Sequence, residues 1–445
     1  NPPSLRLYVE LCATSQFLSE ILITNPGMVD DLIDSLVDDR PQSASSIKGE
    51  LADLCRGAED LAPILWSFRN KEWIRIGTRD ILGREPFRQV TRELADVAEA
   101  VVTQVAHDQW RRGVERHGIP RQARDGRRDR WAIVGLGKFG GRELNYHSDL
   151  DLVFLHEGDG KTDRTASPIS NEQFLVEVAR RVLKVLAGGT ATGPLYSVDT
   201  RLRPFGTAGP LVITLDAFRK YYEESAQPWE HLALTRARVV YATGGFGRRV
   251  SDEIRDILST RPDPAALAPA VVSMRKRLEE SCARNDLKRG LGGLADLEFI
   301  VQYLQLVHAH ENARVLRTNV WDSLDALNRL DVLDDETRAD LVEAYDFLRT
   351  VEGRLRLMYN RAGAELPDHP DDLARLVRRL PGRDQDVSAD LAVPAFLADA
   401  GRLTTRTRAI FDQLVGSTVA GCGPEVSIAE DRGGRTRRGE IPDRL

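Results

Sequence analysis

From Leu5 to about Gln109 apolar residues recur every three or four positions, as in LRLYVELCATSQFLSEIL and TRELADVAEAVVTQVAHDQW, a spacing that lines them along one side of a helix. This predicts an N-terminal helical region over residues 1–115. The run RHGIPRQARDGRRDR, Arg116 to Arg130, has few apolar residues and many Arg and Gly, so 116–128 reads as an exposed linker with solvated arginines. The pattern then shortens. WAIVGLG (131–137), DLDLVFL (149–155), LYSVDTRLR (195–203) and LVITL (211–215) have the length and aliphatic content of strands, while NEQFLVEVARRVLKVL (171–186) has helical spacing with Asn171 as its cap. Helical periodicity returns after about Asp263, in VVSMRKRLEESCARN, LEFIVQYLQLVHAH and AYDFLRTVEGRLRLMY. The expected architecture is α+β and mostly helical: a small mixed-sheet core over 129–262, between the N-terminal region and a C-terminal helical domain over 263–416. Residues 417–445, rich in Gly and Arg, are expected to be a disordered tail, and no fixed-period repeat is found.

Composition narrows the class. A chain of 445 residues is too long for one ordinary core, since single cores stop growing near ~250–300 residues. With 42% hydrophobic residues, 29% charged residues and a net charge of −6, the chain lacks the basic excess of a bulk nucleic-acid binder. No apolar run approaches the ~18 residues of a membrane span, and no signal peptide opens the chain, so the cytoplasm is the expected compartment. Cys12, Cys55, Cys282 and Cys422 show no CxxC spacing and read as reduced thiols. The start Asn1-Pro2-Pro3, without Met, reads best as a fragment of a longer polypeptide.

The chemistry concentrates in GLGKFGGRELNYHSDLDLVFL, Gly135 to Leu155. Asp149 and Asp151 are two apart at the start of a strand, so the period of two points both carboxylates to one face, where they can share a metal ion. Leu150 and Leu152 then point into the core. Upstream, Gly135, Gly137, Gly140 and Gly141 make a flexible lead-in whose backbone N–H groups can approach phosphate, Ser148 adds a hydroxyl, and Lys138 is a candidate phosphate contact. The glycine spacing fits neither a dinucleotide fingerprint nor a Walker A loop. In LYSVDTRLRPFG an extended strand would put Asp199, Arg201 and Arg203 on one face. Asp199 would then complete three carboxylates around two Mg²⁺ or Mn²⁺ ions, with both arginines available for phosphate oxygens. Each feature alone has a plainer reading: a polar turn for Asp-x-Asp, a structural ion pair for Asp199 with Arg201 or Arg203, a solvated lysine for Lys138. Their combination favours the metal site.

Further on, Trp229, Glu230, His231, Arg236 and Arg238 are placed on a helix, where Trp229, Ala233 and Arg236 share a face that suits the core as well as a site. His231 reads first as structural. Asp296 and Glu298 open the helix LEFIVQYLQL, where the helix dipole favours acidic residues in any case.

The Gly-containing turn with Ser, the Asp-x-Asp and the later single Asp resemble the DNA polymerase β-like nucleotidyltransferase superfamily. More narrowly, GKFGGRELNYHSDLDLVF, RLRPFGTAGPLV, WEHLALTRAR and GGLADLEFIVQ occur in the order found in the glutamine synthetase adenylyltransferase and adenylyl-removing family, and LCATSQFLSEILITNPGMVDDLI is similar as well. The resemblance implies a polymerase β-like core, ATP as substrate, a two-metal site on Asp149, Asp151 and Asp199, and glutamine synthetase as protein substrate. It also implies regulation by glutamine and a PII signal protein. It makes Arg236, Asp296 and Glu298 accessory candidates. In that family one half attaches AMP to a tyrosine and the other removes it. Ser148-Asp149-Leu150-Asp151, Trp229-Glu230-His231 and the LCATS helix look more like the transferase half, whereas Arg203-Pro204-Phe205-Gly206 with Gly209-Pro210 is closer to the removing half. The expectation is AMP transfer; the alternatives are phosphorolytic removal and a catalytically silent nucleotide- or PII-sensing module. The acidic charge and the absence of a basic helical hairpin disfavour a template-dependent polymerase.

Overall fold

The computed structural model describes residues 2–28, 41–164, 166–190, 193–260, 264–283, 285–381 and 388–417. The expected tail beyond Ser417, with Cys422, lies outside them. The N-terminal region is helical as the periodicity predicts: α1 (Pro2–Thr14), α2 (Gln16–Thr24), α3 (Ala44–Leu54), α4 (Ala62–Ile81) and α5 (Phe87–His117). In α5 the buried Val90, Leu94, Val97, Val101 and Val105 follow the helical spacing. The helix ends where Gly118 turns to φ 84°, with Arg116 and His117 set against the negative end of its dipole.

The expected linker is partly ordered strand. Residues Pro120–Gln122 (β1) pair antiparallel with Gly160–Thr162 (β4), fastened by Arg121 on Asp163 at 3.0 Å. Arginine-rich composition hid this strand, because its pairing energy comes from a partner about 40 residues away.

The main sheet uses β2 (Trp131–Leu136), β3 (Leu150–His156), β7 (Val198–Asp199), β8 (Val212–Thr214) and β9 (Arg238–Ala242), while β5 (Gly189–Thr190) and β6 (Gly193–Pro194) form a separate hairpin. Strand β2 lies antiparallel between β3 and β9; β7 and β8 both run parallel to β3, one at each end of it. A mixed sheet of this order is not the doubly wound parallel sheet of a dinucleotide-binding fold.

Both faces of the sheet are covered, which is why WAIVGL reads as unbroken apolar sequence. Trp131 and Ile133, with Leu150, Leu152 and Phe154, pack on the N-terminal helices. Their alternates Ala132, Val134 and Leu136, with Val153 and Leu155, pack on the C-terminal ones. The short helix α6 (Gly137–Gly140) follows β2, where the sequence reading expected only a flexible connection. Helix α7 (Asn171–Leu186) is capped by Ser170, not Asn171: the Ser170 hydroxyl accepts from Gln173 N–H in a capping box, while the buried Asn171 amide donates to the carbonyls of Arg121 and Gly158. The remaining helices are α8 (Leu215–Glu224), α9 (Pro228–Leu234), α10 (Phe246–Ser259), α11 (Pro264–Glu280), α12 (Leu294–His308), α13 (Val320–Arg329), α14 (Asp335–Tyr359), α15 (Pro370–Arg378) and α16 (Ala389–Phe411). Among the described residues no helix is long and apolar enough to cross a membrane.

Candidate active site

Register brings the later aspartate to the earlier pair. In the parallel pairing of β3 with β7, Leu150 stands opposite Val198 and Asp151 opposite Asp199. Asp149 precedes β3, and Asp149 and Asp151 line one cavity of about 340 Å³ between the sheet and the C-terminal helices. Burial, then the neighbouring Asp199, push the Asp151 carboxyl up to about 7. Crowded carboxylates of this kind fit a hard divalent cation, whose charge relieves the repulsion and whose ligands are oxygens. Among the described residues, however, no three His, Cys, Asp or Glu stand grouped as a ready metal centre.

Asp199 is turned onto Arg201, whose guanidinium donates to Oδ2 at 2.7 and 2.9 Å and to Oδ1 at 3.1 Å while Arg201 N–H donates to Oδ1. Burial alone would raise Asp199; the bonds to Arg201 outweigh it and hold the carboxyl below its usual value. The expected strand 195–203 is therefore corrected: it stops at Asp199, and Arg201 and Arg203 lie in the following turn rather than on a strand face. Arg203 donates to the Thr200 carbonyl and hydroxyl and reaches the Gly209 carbonyl, bracing the RPFG loop. Phe205 in that loop is 57% exposed and held at φ 62°.

Two glycines require comment. Gly137 has φ 53°, and a Cβ there would stand 2.4 Å from Asp151 Oδ2, so only glycine lets this backbone pass the carboxylate. At Gly140 a Cβ would meet the Arg236 carbonyl at 2.0 Å. Gly140 serves a close backbone crossing, and the Gly141 N–H is already given to the Gly137 carbonyl. The N–H of Gly141 is thus engaged within the turn.

The cavity's other wall is a buried ionic network. Lys138 Nζ donates to both oxygens of Glu352 at 2.9 and 3.2 Å, and Arg349 and Arg356 converge on the same carboxylate. Burial would raise Glu352, but these three cations hold it well below the ordinary range. Arg356 also donates to the Tyr146 carbonyl and to Ser148 Oγ at 3.2 Å, tying the network to the turn that carries Asp149. Arg236 pairs with Glu143 at 2.6 Å and Glu298 at 3.2 Å. Lys288, half-buried, also lines the cavity, where desolvation lowers its pKa.

The accessory candidates separate. Arg236 and Glu298 line the cavity with Lys138 and Ser148. Asp296 does not: it is buried against Arg275 at 2.7 and 2.9 Å. The expected helix over Trp229–Arg238 ends at Leu234; Arg236 lies in a turn and Arg238 opens β9. Trp229 packs on the C-terminal core, and His231 lies edge-on to Tyr222. Sequence reasoning missed Glu143, Lys288, Glu352 and Arg356. Their one visible signal was position: Glu143 and Lys288 lie within or beside the quoted motifs, and Arg349, Glu352 and Arg356 recur at helical spacing.

Comparison with known proteins agrees with this architecture. The family model described as glutamate-ammonia ligase adenylyltransferase matches residues 5–252, more than half the chain, and a second model, GlnD PII-uridylyltransferase, matches 271–415. Three proteins named bifunctional glutamine synthetase adenylyltransferase/adenylyl-removing enzyme are similar. That of Thioalkalivibrio sulfidiphilus is 33% identical over 83% of this chain and 38% of its own length. The Shewanella frigidimarina protein is 34% identical over 80% and 39%, and the Shewanella loihica protein 33% over 84% and 40%. The chain thus spans about two fifths of the length of these curated relatives.

Proposed function

Since the chain belongs to the glutamate-ammonia ligase adenylyltransferase family, we propose that it transfers AMP from ATP to a tyrosine of glutamine synthetase, releasing pyrophosphate. The observation that carries this reading is the register of β3 on β7, which sets Asp199 opposite Asp151 beside Asp149. Asp149, Asp151 and Asp199 would hold Mg²⁺ or Mn²⁺, which supplies charge stabilisation to the phosphate oxygens and acidifies the attacking hydroxyl.

The chain's own residues do the rest. Beside the aspartates the cavity lining presents Lys138, Arg236, Lys288 and Arg356, partly balanced by Glu298 and Glu352, and these cations suit a triphosphate. Ser148 Oγ already accepts from Asn145 N–H and Arg356, so its hydroxyl proton is free to turn toward a phosphate oxygen. Arg201 leaves Asp199 when the nucleotide arrives and follows the phosphates, exchanging one anion for another. The phenolic oxygen bonds to the α-phosphorus, the bond to the oxygen bridging to the β-phosphate breaks, pyrophosphate leaves with the electron pair, and the phenolic proton passes to water. Arg203 and the strained RPFG loop hold the Asp199 turn in place.

The reverse direction, in which phosphate attacks the AMP–tyrosine linkage and ADP leaves, uses the same groups and remains the second reading, because RPFG with Gly209-Pro210 is closer to the removing half. Glutamine and a PII protein are the proposed regulators and the cytoplasm the proposed compartment; the match of residues 271–415 to PII-uridylyltransferase supports the PII link. Incubation with labelled ATP, Mg²⁺ and glutamine synthetase, with and without glutamine, tests transfer by the appearance of label on tyrosine. Starting from adenylylated glutamine synthetase and phosphate tests removal. Label in neither experiment overturns the proposal.

A further inference from the structure

A second cavity, of about 330 Å³, opens on the other side of Asp149. It shares His147, Ser148, Asp149 and Ala362 with the phosphate-facing cavity but is built from different material. Phe17 of α2 and Trp73 of α4 stand 5.2 Å apart, Trp73 meets Tyr196 edge-on at 5.8 Å, and Phe17 meets the His147 ring at 4.6 Å. The wall is rigid. The Arg69 guanidinium lies 4.2 Å from the ring centres of both Trp66 and Trp73 and donates to the carbonyls of Pro194 and Leu195, so it pins the segment leading into Tyr196 and on to Asp199.

Two polar atoms in this aromatic lining are only weakly engaged: Tyr196 is 5% exposed with Trp73 beside its hydroxyl, and among the described residues neither Tyr196 Oη nor the buried His147 Nε2 makes a hydrogen bond within 3.5 Å. A buried hydroxyl without a good partner is unfavourable, and a ligand supplying that partner would recover the loss. The volume falls in the range of small-molecule sites, roughly 300–1,000 Å³. Aromatic walls with a few open polar atoms suit a flat ring that carries a polar group.

We propose that this cavity receives the acceptor tyrosine side chain of the protein substrate, its ring against Phe17, Trp73 and Tyr196 and its hydroxyl toward Asp149. The inference rests on the AMP-transfer reading above. Division of charge assigns the occupants: Lys138, Arg236 and Lys288 line only the first cavity, whereas the second holds one cation, Arg69, whose guanidinium is already engaged by two carbonyls and two indole rings, so the phosphates lie in the first and the aromatic cavity is left for the group on the far side of the phosphorus. Asp149, common to both, stands where nucleophile and electrophile must meet. The side chain enters past Glu20, Thr24 and Asn360 at the rim.

The test compares the wild-type chain with Phe17→Leu and Tyr196→Phe, each checked for folding by circular dichroism and thermal melting. AMP transfer is measured against glutamine synthetase and ATP concentrations varied separately, and binding of N-acetyltyrosinamide is followed by saturation-transfer NMR. The expected result is a KM for glutamine synthetase raised about tenfold by Phe17→Leu and several-fold by Tyr196→Phe, a KM for ATP within twofold of wild type, and loss of the tyrosinamide signal. A rise in the ATP KM alone would place adenine in the cavity and overturn the assignment, as would unchanged constants for both substrates. If the wild-type chain transfers no AMP in either direction yet binds tyrosinamide in a Phe17-dependent way, the functional reading fails and the aromatic site stands. Should Phe17→Leu fail to fold, the Tyr196→Phe data, which keep the ring, decide.

Discussion

The ions gathered around Glu352 and the carboxylates gathered at Asp151 face each other across one cavity, yet their charges are balanced to different degrees. On the first side Lys138, Arg236, Lys288, Arg349 and Arg356 surround Glu143, Glu298 and Glu352, and most of these groups are tied by ion pairs of 2.6–3.2 Å. On the second side Asp149 and Asp151 line the cavity and Asp199 stands opposite Asp151 with Arg201 closed on it, and Asp151 is left with a carboxyl pushed up to about 7, by burial and then by Asp199. The first cluster is nearly saturated and ties together the Gly137–Ser148 turn, the turn carrying Arg236, the start of α12 and the C-terminal half of α14. In the second, Asp151 makes no ion pair within 4 Å among the described residues, and the cations near it lower its carboxyl less than burial and Asp199 raise it. A buried charge that is paired supports a fold; a buried charge that is underpaired is held ready for a ligand.

The largest expected effect comes from removing the carboxylate charge of Asp149 and Asp151. The double change Asp149→Asn with Asp151→Asn keeps shape and relieves repulsion, so folding should survive while AMP transfer falls at least about a thousandfold, roughly 4 kcal/mol of transition-state stabilisation. Transfer assays paired with thermal melts would check both halves; a double variant with near-normal turnover would erase the distinction between the two clusters.

The mirror experiment acts on the balanced side. Glu352→Gln leaves Lys138, Arg349 and Arg356 without their common anion, and breaking such a buried set typically costs about 3–5 kcal/mol. Urea unfolding should show that loss, and a variant as stable as wild type would show that the network does not support the fold.

A smaller effect is expected at Arg201, which is closed on Asp199. Arg201→Gln should raise the KM for ATP about tenfold and lower the metal concentration needed for half-maximal rate, because Asp199 no longer has a competing cation. If the metal requirement rose instead, Arg201 would be holding Asp199 in its working position rather than guarding it.

The smallest effect concerns His147, held at φ 56° in the turn before Ser148. Burial, then the neighbouring Arg356 and Arg69, lower its pKa to about 4, below the ordinary value near ~6.5. The unfolded chain therefore binds more protons between those values, so this group's contribution to stability is fully present above about pH 6.5 and is lost as pH falls toward 4. Asn tolerates the same backbone conformation. Melting temperature plotted against pH should fall less steeply through that window for His147→Asn than for wild type; parallel curves would remove His147 from the account.

Much of this was legible from residue order, and the failures have a common cause. The period of two in DLDLVFL marked the strand and put Asp149 and Asp151 toward the same cavity, and the apolar spacing of α5 marked a helix. The reading of LYSVDTRLR went wrong because the apolar alternation continues past Asp199 while the chain turns, with Arg201 and Arg203 spending their guanidinium groups on Asp199, Thr200 and Gly209. RVVYA in β9 was hidden for a similar reason: a short β-branched run after a helix is decided by whether β2 offers it an edge.

What the sequence determined by itself was side-chain direction, since alternation along a strand and the turn of a helix are set by covalent geometry and backbone sterics within a few residues. Distance was decided only by tertiary structure. That Asp199 stands opposite Asp151 depends on the register of two parallel strands 48 positions apart, and that Lys138 meets Glu352 depends on packing between groups 214 positions apart. No local rule contains those separations: they follow from burying both faces of the sheet at once, which fixes where the helices on either side must lie.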